Sequence, residues 1–139
     1  MGKRSYLDPS VIINALKEND ERAERAQAVL EDPTRDLIVG DYVKLETLPK
    51  MVYNKRSDQA AYTTTLFDHA EYVHSTNAIV THAETLAEAY GLSAMDALHV
   101  ASAIAGHADE LITFEKPEKP FFRIPDERLR IVSLYEATL

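Results

Sequence analysis

The sequence contains no cysteine, which excludes disulfides and thiolate metal sites. It also lacks any apolar run approaching the roughly 18 residues that a membrane-spanning helix needs. In "MGKRSYLDPSVIINAL" basic residues precede an apolar patch, but Asp8 and Pro9 interrupt it, so no secretory signal is expected there. A basic excess is missing too, since the formal net charge is −8. General polyanion binders carry a positive footprint, and the charge argues against that class. It leaves room for a carboxylate-rich site whose sign bound cations reverse locally, and it suits a basic partner. No repeat, low-complexity stretch or linker divides the 139 residues, so they read as one domain, 1–139. A cytoplasmic location follows as the expectation.

What is present is a globular balance: 45% hydrophobic and 27% charged residues. "SYLDPS" reads as a short strand ended by Asp8 and Pro9, with Ser10 as a cap for a helix carrying Val11, Ile12, Ala15 and Leu16. Asn19 or Asp20 can cap a second helix with Ala23, Ala26 and Leu30 on one face. "LIVG" reads as a buried strand. The helix that follows is expected to turn Leu45, Leu48 and Val52 inward, with Pro49 kinking or restarting it. "SDQAAYTTTLFDHA" is a weaker helix and "EYVHS" a short strand. Ile79, Ala83, Leu86, Ala87 and Tyr90 recur at helical spacing until Gly91 stops them. Ser93 caps the next helix, in which Ala97, Ala101, Ser102 and Ala105 are expected to allow close packing on a sheet. "ELITF" and "LRIVSLY" are the last strands.

Strands alternating with helices predict a mostly parallel central sheet in a three-layer α/β/α sandwich. In such folds the site lies beyond the carboxyl ends of the strands. Four carboxylates satisfy that rule: Asp8 after the first strand, Glu46 in the helix after "LIVG", Asp96 in the first turn of its helix, and Glu115 after "ELITF". Four acids aimed at one crevice repel one another unless protons or cations neutralise them. Oxygen ligands without cysteine or a histidine pair suit Mg²⁺ or Mn²⁺.

Each acid also has a structural explanation. Asp-Pro opens turns, and Glu46 stands four residues before Lys50, the spacing of a helical ion pair. Asp96 has capping-box spacing from Ser93, and Glu115 reads equally as a loop acid. The chemical case rests on the set.

"YLDPSVI", "VKLETL" and above all "LAEAYGLSAMDALHVASAIAGHADELITFEKP" resemble the PIN domain family of nucleases, which includes VapC-type toxins. The resemblance implies metal-dependent cleavage of single-stranded RNA, with Asp8, Glu46, Asp96 and Glu115 as the catalytic acids. Asp8, Asp96 and Glu46 would hold Mg²⁺ or Mn²⁺, with Ser10 and Thr113 supporting them. At Glu115 the family usually has Asp or Asn, and the extra methylene points to a water-mediated role. His99 matches the Asp-Ala-Leu-His pattern but is read as a packed or hydrogen-bonded residue. Lys50, Lys55, Arg56, Lys116 and Lys119 are candidates to steer phosphates, or a solvated face. An antitoxin that brings a basic or bulky side chain to the acidic pocket and a homodimer are further implications.

Two other readings compete. "DLIVGDYVKLETLP" and Lys116-Pro117 superficially resemble a phosphorelay receiver, but the span from Asp8 to Asp41 is too short for two crossovers. The stronger alternative is a binding module on the same scaffold, with the nuclease weak or lost.

Overall fold

The structure is a computed structural model that describes residues 2–18 and 20–135. Its centre is a parallel sheet of five strands: β1 (Lys3–Leu7), β2 (Arg35–Gly40), β3 (Glu71–Val73), β4 (Glu110–Thr113) and β5 (Arg130–Ser133). The spatial order is β3-β2-β1-β4-β5. From β1 the chain steps outward to β2 and β3, then returns to build β4 and β5 on the other side. The direction of winding therefore reverses between β1 and β4. In open α/β sheets the loops leaving the carboxyl ends of two such strands diverge, and a crevice is expected between them.

Helices join the strands: α1 (Pro9–Ala15), α2 (Glu21–Leu30), α3 (Asp41–Leu45), α4 (Leu48–Tyr53), α5 (Ser57–His69), α6 (Asn77–Tyr90) and α7 (Ala94–Ala105), followed by a 3-10 turn at Pro120–Arg123. Their ends follow local chemistry. Asp8 caps α1 ahead of Pro9, whose missing N–H costs nothing in a first turn. Asp20 caps α2 by accepting from the Arg22 N–H, while the alternative cap Asn19 lies outside the described residues. Gly91 closes α6 at φ 69, in the left-handed region that a Cβ disfavours.

The core joins Tyr6, Leu7, Ile12, Ile38, Val39, Leu86, Val100, Leu111 and Ile112, all essentially inaccessible to water. Along α7, Ala97, Val100, Ala101, Ser102 and Ala103 are buried, but Ala105 is exposed. The packing face ends before the last turn.

A larger departure from the sequence reading lies between β2 and α5. Leu45 and Val52 are 62% and 67% exposed rather than inward, and Leu48 is only partly buried. Instead Val43, Thr47 and Met51 form the buried series. The helix stops at Glu46 and restarts at Leu48 with Pro49 in its first turn. Val43, Thr47 and Met51 recur every four residues, so the helical period runs through the break; the buried stripe contains a polar Thr47 whose hydroxyl donates to the Val43 carbonyl, and the more apolar stripe faces out.

Candidate active site

Asp8 stands at the switch point between β1 and β4. The adjoining backbones are tied by the Asp8 N–H donating to the Ile112 carbonyl at 3.0 Å. The carboxylate is 8% exposed, and its Oδ2 accepts from the Ser10 N–H at 3.1 Å, the Ser10 hydroxyl at 2.5 Å and the Thr113 hydroxyl at 3.3 Å. Both hydroxyls are themselves acceptors. Ser10 Oγ takes the Phe114 N–H, and Thr113 Oγ1 takes the Glu115 N–H, each at 3.1 Å. With those lone pairs used, each hydroxyl proton is directed onto Asp8. These three bonds all load one oxygen; among the described residues no donor is bonded to Oδ1. Ser10 and Thr113 thus fix the rotamer of Asp8 and leave its second oxygen for a ligand.

Asp96 enters from the first turn of α7. Its N–H donates to the Ser93 hydroxyl at 3.3 Å, which is the N-cap bond of that helix. Partial burial pushes its carboxyl pKa up. The Ser93 hydroxyl opposes that shift, the charges of Asp8 and Glu115 add to it, and His99 opposes it. Three acids distant in sequence therefore feel one another in a single crevice. Glu115 is positioned through its backbone, with its N–H on Thr113 and its carbonyl accepting from the Ser133 hydroxyl at 2.7 Å.

Glu46 follows α3 rather than lying in a second helical turn. Its Oε1 meets His99 Nε2 at 2.6 Å, so its partner is a buried histidine on α7 and not Lys50 one turn away. Lys50 and Arg56 line a cleft with Glu46, Ile13, Leu16 and Met51. Lys55 lines a neighbouring hollow with Arg56. Lys116 sits over the Tyr135 ring at 5.4 Å, and Arg22 lies 5.5 Å from the same ring. Lys119 precedes the 3-10 turn and is exposed.

No group of three or more histidine or acidic side chains among the described residues forms a compact cation cluster. The donor set still suits a hard cation. Mg²⁺ is commonly bound through one or two carboxylates with water completing the shell. Asp8 and Asp96 offer that pair, and the charges of Asp8 and Glu115 add to the upward shift that burial gives the Asp96 carboxyl.

Two further residues stand beside the acids: Tyr6, which the sequence did not single out, and His99, expected to pack or hydrogen-bond, which does both. Tyr6 stands two residues before Asp8 on one strand face, and His99 stands three after Asp96 on one helix face. That shared spacing is the signal that links them to the acids.

The PIN domain family model matches residues 5–121, from the middle of β1 into the 3-10 turn. The chain is a PIN domain. Solved structures share the fold at low identity. A toxin–antitoxin complex from Klebsiella pneumoniae gives a TM-score of 0.73 at 23% identity, covering 95% of this chain and 98% of that one. VapBC2 from Rickettsia felis, bound to a promoter DNA fragment, gives 0.68 at 18% identity over 94% and 98%. FitAcB from Neisseria gonorrhoeae gives 0.61 at 19% over 93% and 96%. Comparison with curated proteins gives no match. Within this PIN domain, no helix of the described residues is long and apolar enough to cross a membrane.

Proposed function

We propose that this PIN domain is a metal-dependent endoribonuclease that cleaves single-stranded RNA, and that it is the toxin of a type II toxin–antitoxin pair. The observation that carries the proposal is the meeting of Asp8, Asp96 and Glu115 at the switch point between β1 and β4, where burial raises the Asp96 carboxyl and the charges of Asp8 and Glu115 add to the shift. A structural cap needs no such company.

In this reading Asp8 and Asp96 hold Mg²⁺ or Mn²⁺, and Glu46 approaches from the α3 side. A bound divalent ion activates water and offsets charge on a phosphodiester. The chain's own contribution is placement. Ser10 and Thr113 lock Asp8, Ser93 anchors the start of the helix that carries Asp96, and Glu115 acts through water at the rim. Lys50, Arg56 and Lys116 border the acids and give the RNA backbone positive charge at a site whose overall field repels it.

The antitoxin partner is supported by the toxin–antitoxin complexes among the similar folds. Exposed Leu45, Val52 and Tyr53 offer apolar surface that a partner protein can cover. A homodimer and a cytoplasmic location belong to the same reading and rest on the family resemblance.

The second reading, a binding module with weak or lost cleavage, is favoured by Glu115 in place of Asp or Asn and by the lack of a three-ligand cluster among the described residues. Cleavage of single-stranded RNA with Mn²⁺ or Mg²⁺, compared between wild type and Asp96→Asn, separates the two. Metal-dependent cutting abolished by the substitution supports the nuclease. No cutting by wild type supports the binding module, and cutting unchanged in Asp96→Asn removes the site assignment.

A further inference from the structure

Beneath the acids runs a buried chain of polar groups that packing alone does not require. The Tyr6 hydroxyl lies 2.9 Å from His99 Nδ1, and His99 Nε2 lies 2.6 Å from Glu46 Oε1. Tyr6 and His99 are 0% and 1% exposed, yet the chain ends on a Glu46 side chain that is 39% exposed. A buried histidine needs only a local partner. This one spans from the central strand to a carboxylate at the surface.

The direction of the chain follows from hydrogen-bond logic. A carboxylate only accepts, so the imidazole proton sits on Nε2, where it donates to Glu46, and Nδ1 of the neutral ring is left to accept the phenol proton. The same imidazole stands three residues after Asp96 on α7.

We propose that Tyr6 and His99 are positioning residues, a donor relay that fixes the Glu46 carboxylate beside the Asp8–Asp96 crevice and so tunes how the crevice holds a divalent cation. This rests on the nuclease reading, for which a cation at the site is required. Groups that orient metal-binding side chains from behind influence affinity strongly, typically about 10–100-fold when removed.

The test combines Mn²⁺ affinity, measured by electron paramagnetic resonance, with single-turnover RNA cleavage. Wild type and Asp96→Asn test the nuclease reading itself. Wild type that neither binds Mn²⁺ nor cuts RNA overturns that reading and the relay's role together. Where wild type does both, Tyr6→Phe is expected to weaken Mn²⁺ binding roughly 10-fold, at the low end for such partners. It is expected to have no further effect in a Glu46→Gln background. His99→Phe loses more, and His99→Gln, which keeps an amide donor for Glu46, recovers part of the loss. An equal loss from Tyr6→Phe in both backgrounds, or no loss in either, overturns the relay while leaving the nuclease intact.

Nitrogen-15 NMR of the His99 ring in the wild-type protein gives a test independent of any variant's folding. Nε2–H with an unprotonated Nδ1 is expected. An Nδ1–H tautomer overturns the relay.

Discussion

The Thr113 hydroxyl at the end of β4 donates to Asp8 Oδ2 at the end of β1, 3.3 Å away. Across those adjacent strand ends, one hydroxyl links the residue that leaves the sheet toward α1 to the strand that precedes Glu115. The contact is buried and lies at the reversal of winding, where the fold opens its crevice.

Removing it should matter more for chemistry than for folding. Thr113→Val keeps the shape and deletes the donor. It is expected to cost about 1 kcal/mol of stability, near the usual net value of a hydrogen bond. RNA cleavage is expected to fall roughly 10-fold as the Asp8 rotamer loosens. Urea unfolding and single-turnover kinetics check both numbers. A variant that unfolds much more easily but cuts normally assigns Thr113 to the scaffold alone.

Asp96 gives a pH prediction whose sign is fixed by its environment. Its folded pKa is raised, so its contribution to stability is present below the unfolded value and is lost as pH rises through the folded value. At neutral pH and without metal the ionised carboxylate therefore weakens the fold. Asp96→Asn should raise the metal-free Tm by roughly 2–5 °C at pH 7, a modest effect because water screens a half-buried group. The gain should vanish below about pH 4. Calorimetry of both proteins across that range measures it, and a gain that persists unchanged in acid contradicts the cause given.

Mn²⁺ should reverse the ordering. A ligand that binds only the folded protein stabilises it by mass action. Wild type is expected to gain Tm with rising Mn²⁺, while Asp8→Asn and Asp96→Asn gain little. The wild-type response should strengthen as pH rises and Asp96 ionises. Equal shifts in all three proteins would place the ion elsewhere.

The opposite end of the sheet offers a control. Glu110 is 3% exposed, pairs with Arg35 and accepts from the Ser5 hydroxyl at 2.7 Å. Glu110→Ala removes that partner while Arg35 keeps Asp32 at 3.1 Å, and should cost about 2 kcal/mol. The fraction that remains folded should still bind Mn²⁺ with wild-type affinity, because this pair lies at the amino ends of the strands. A parallel loss of metal affinity would mean that the two ends of the sheet are coupled.

How far the sequence disclosed this arrangement differs by residue. The cap of α1 was misplaced, because Asp8 rather than Ser10 holds it, and Ser10 and Thr113 entered the site through the family resemblance. Asp8 itself was readable because strand ends are local features, and parallel topology assigns all of them to one edge. The capping bond between Ser93 and the Asp96 N–H was readable for the same reason. The inward face after β2 was not, because Thr47 is buried with its hydroxyl donating to the Val43 carbonyl while the more apolar Leu45 and Val52 lie on the opposite, exposed face. The partner of Glu46 was hidden as well. A spacing of four residues favours Lys50, whereas tertiary packing brings His99 from α7 to 2.6 Å. Such a contact depends on how two helices meet, which no local pattern encodes.

The most direct measurement is anomalous diffraction from crystals soaked in Mn²⁺. The account predicts a peak coordinated by Asp8 and Asp96 in the crevice between β1 and β4. A fully soaked crystal with those carboxylates turned apart and its manganese bound elsewhere would contradict it.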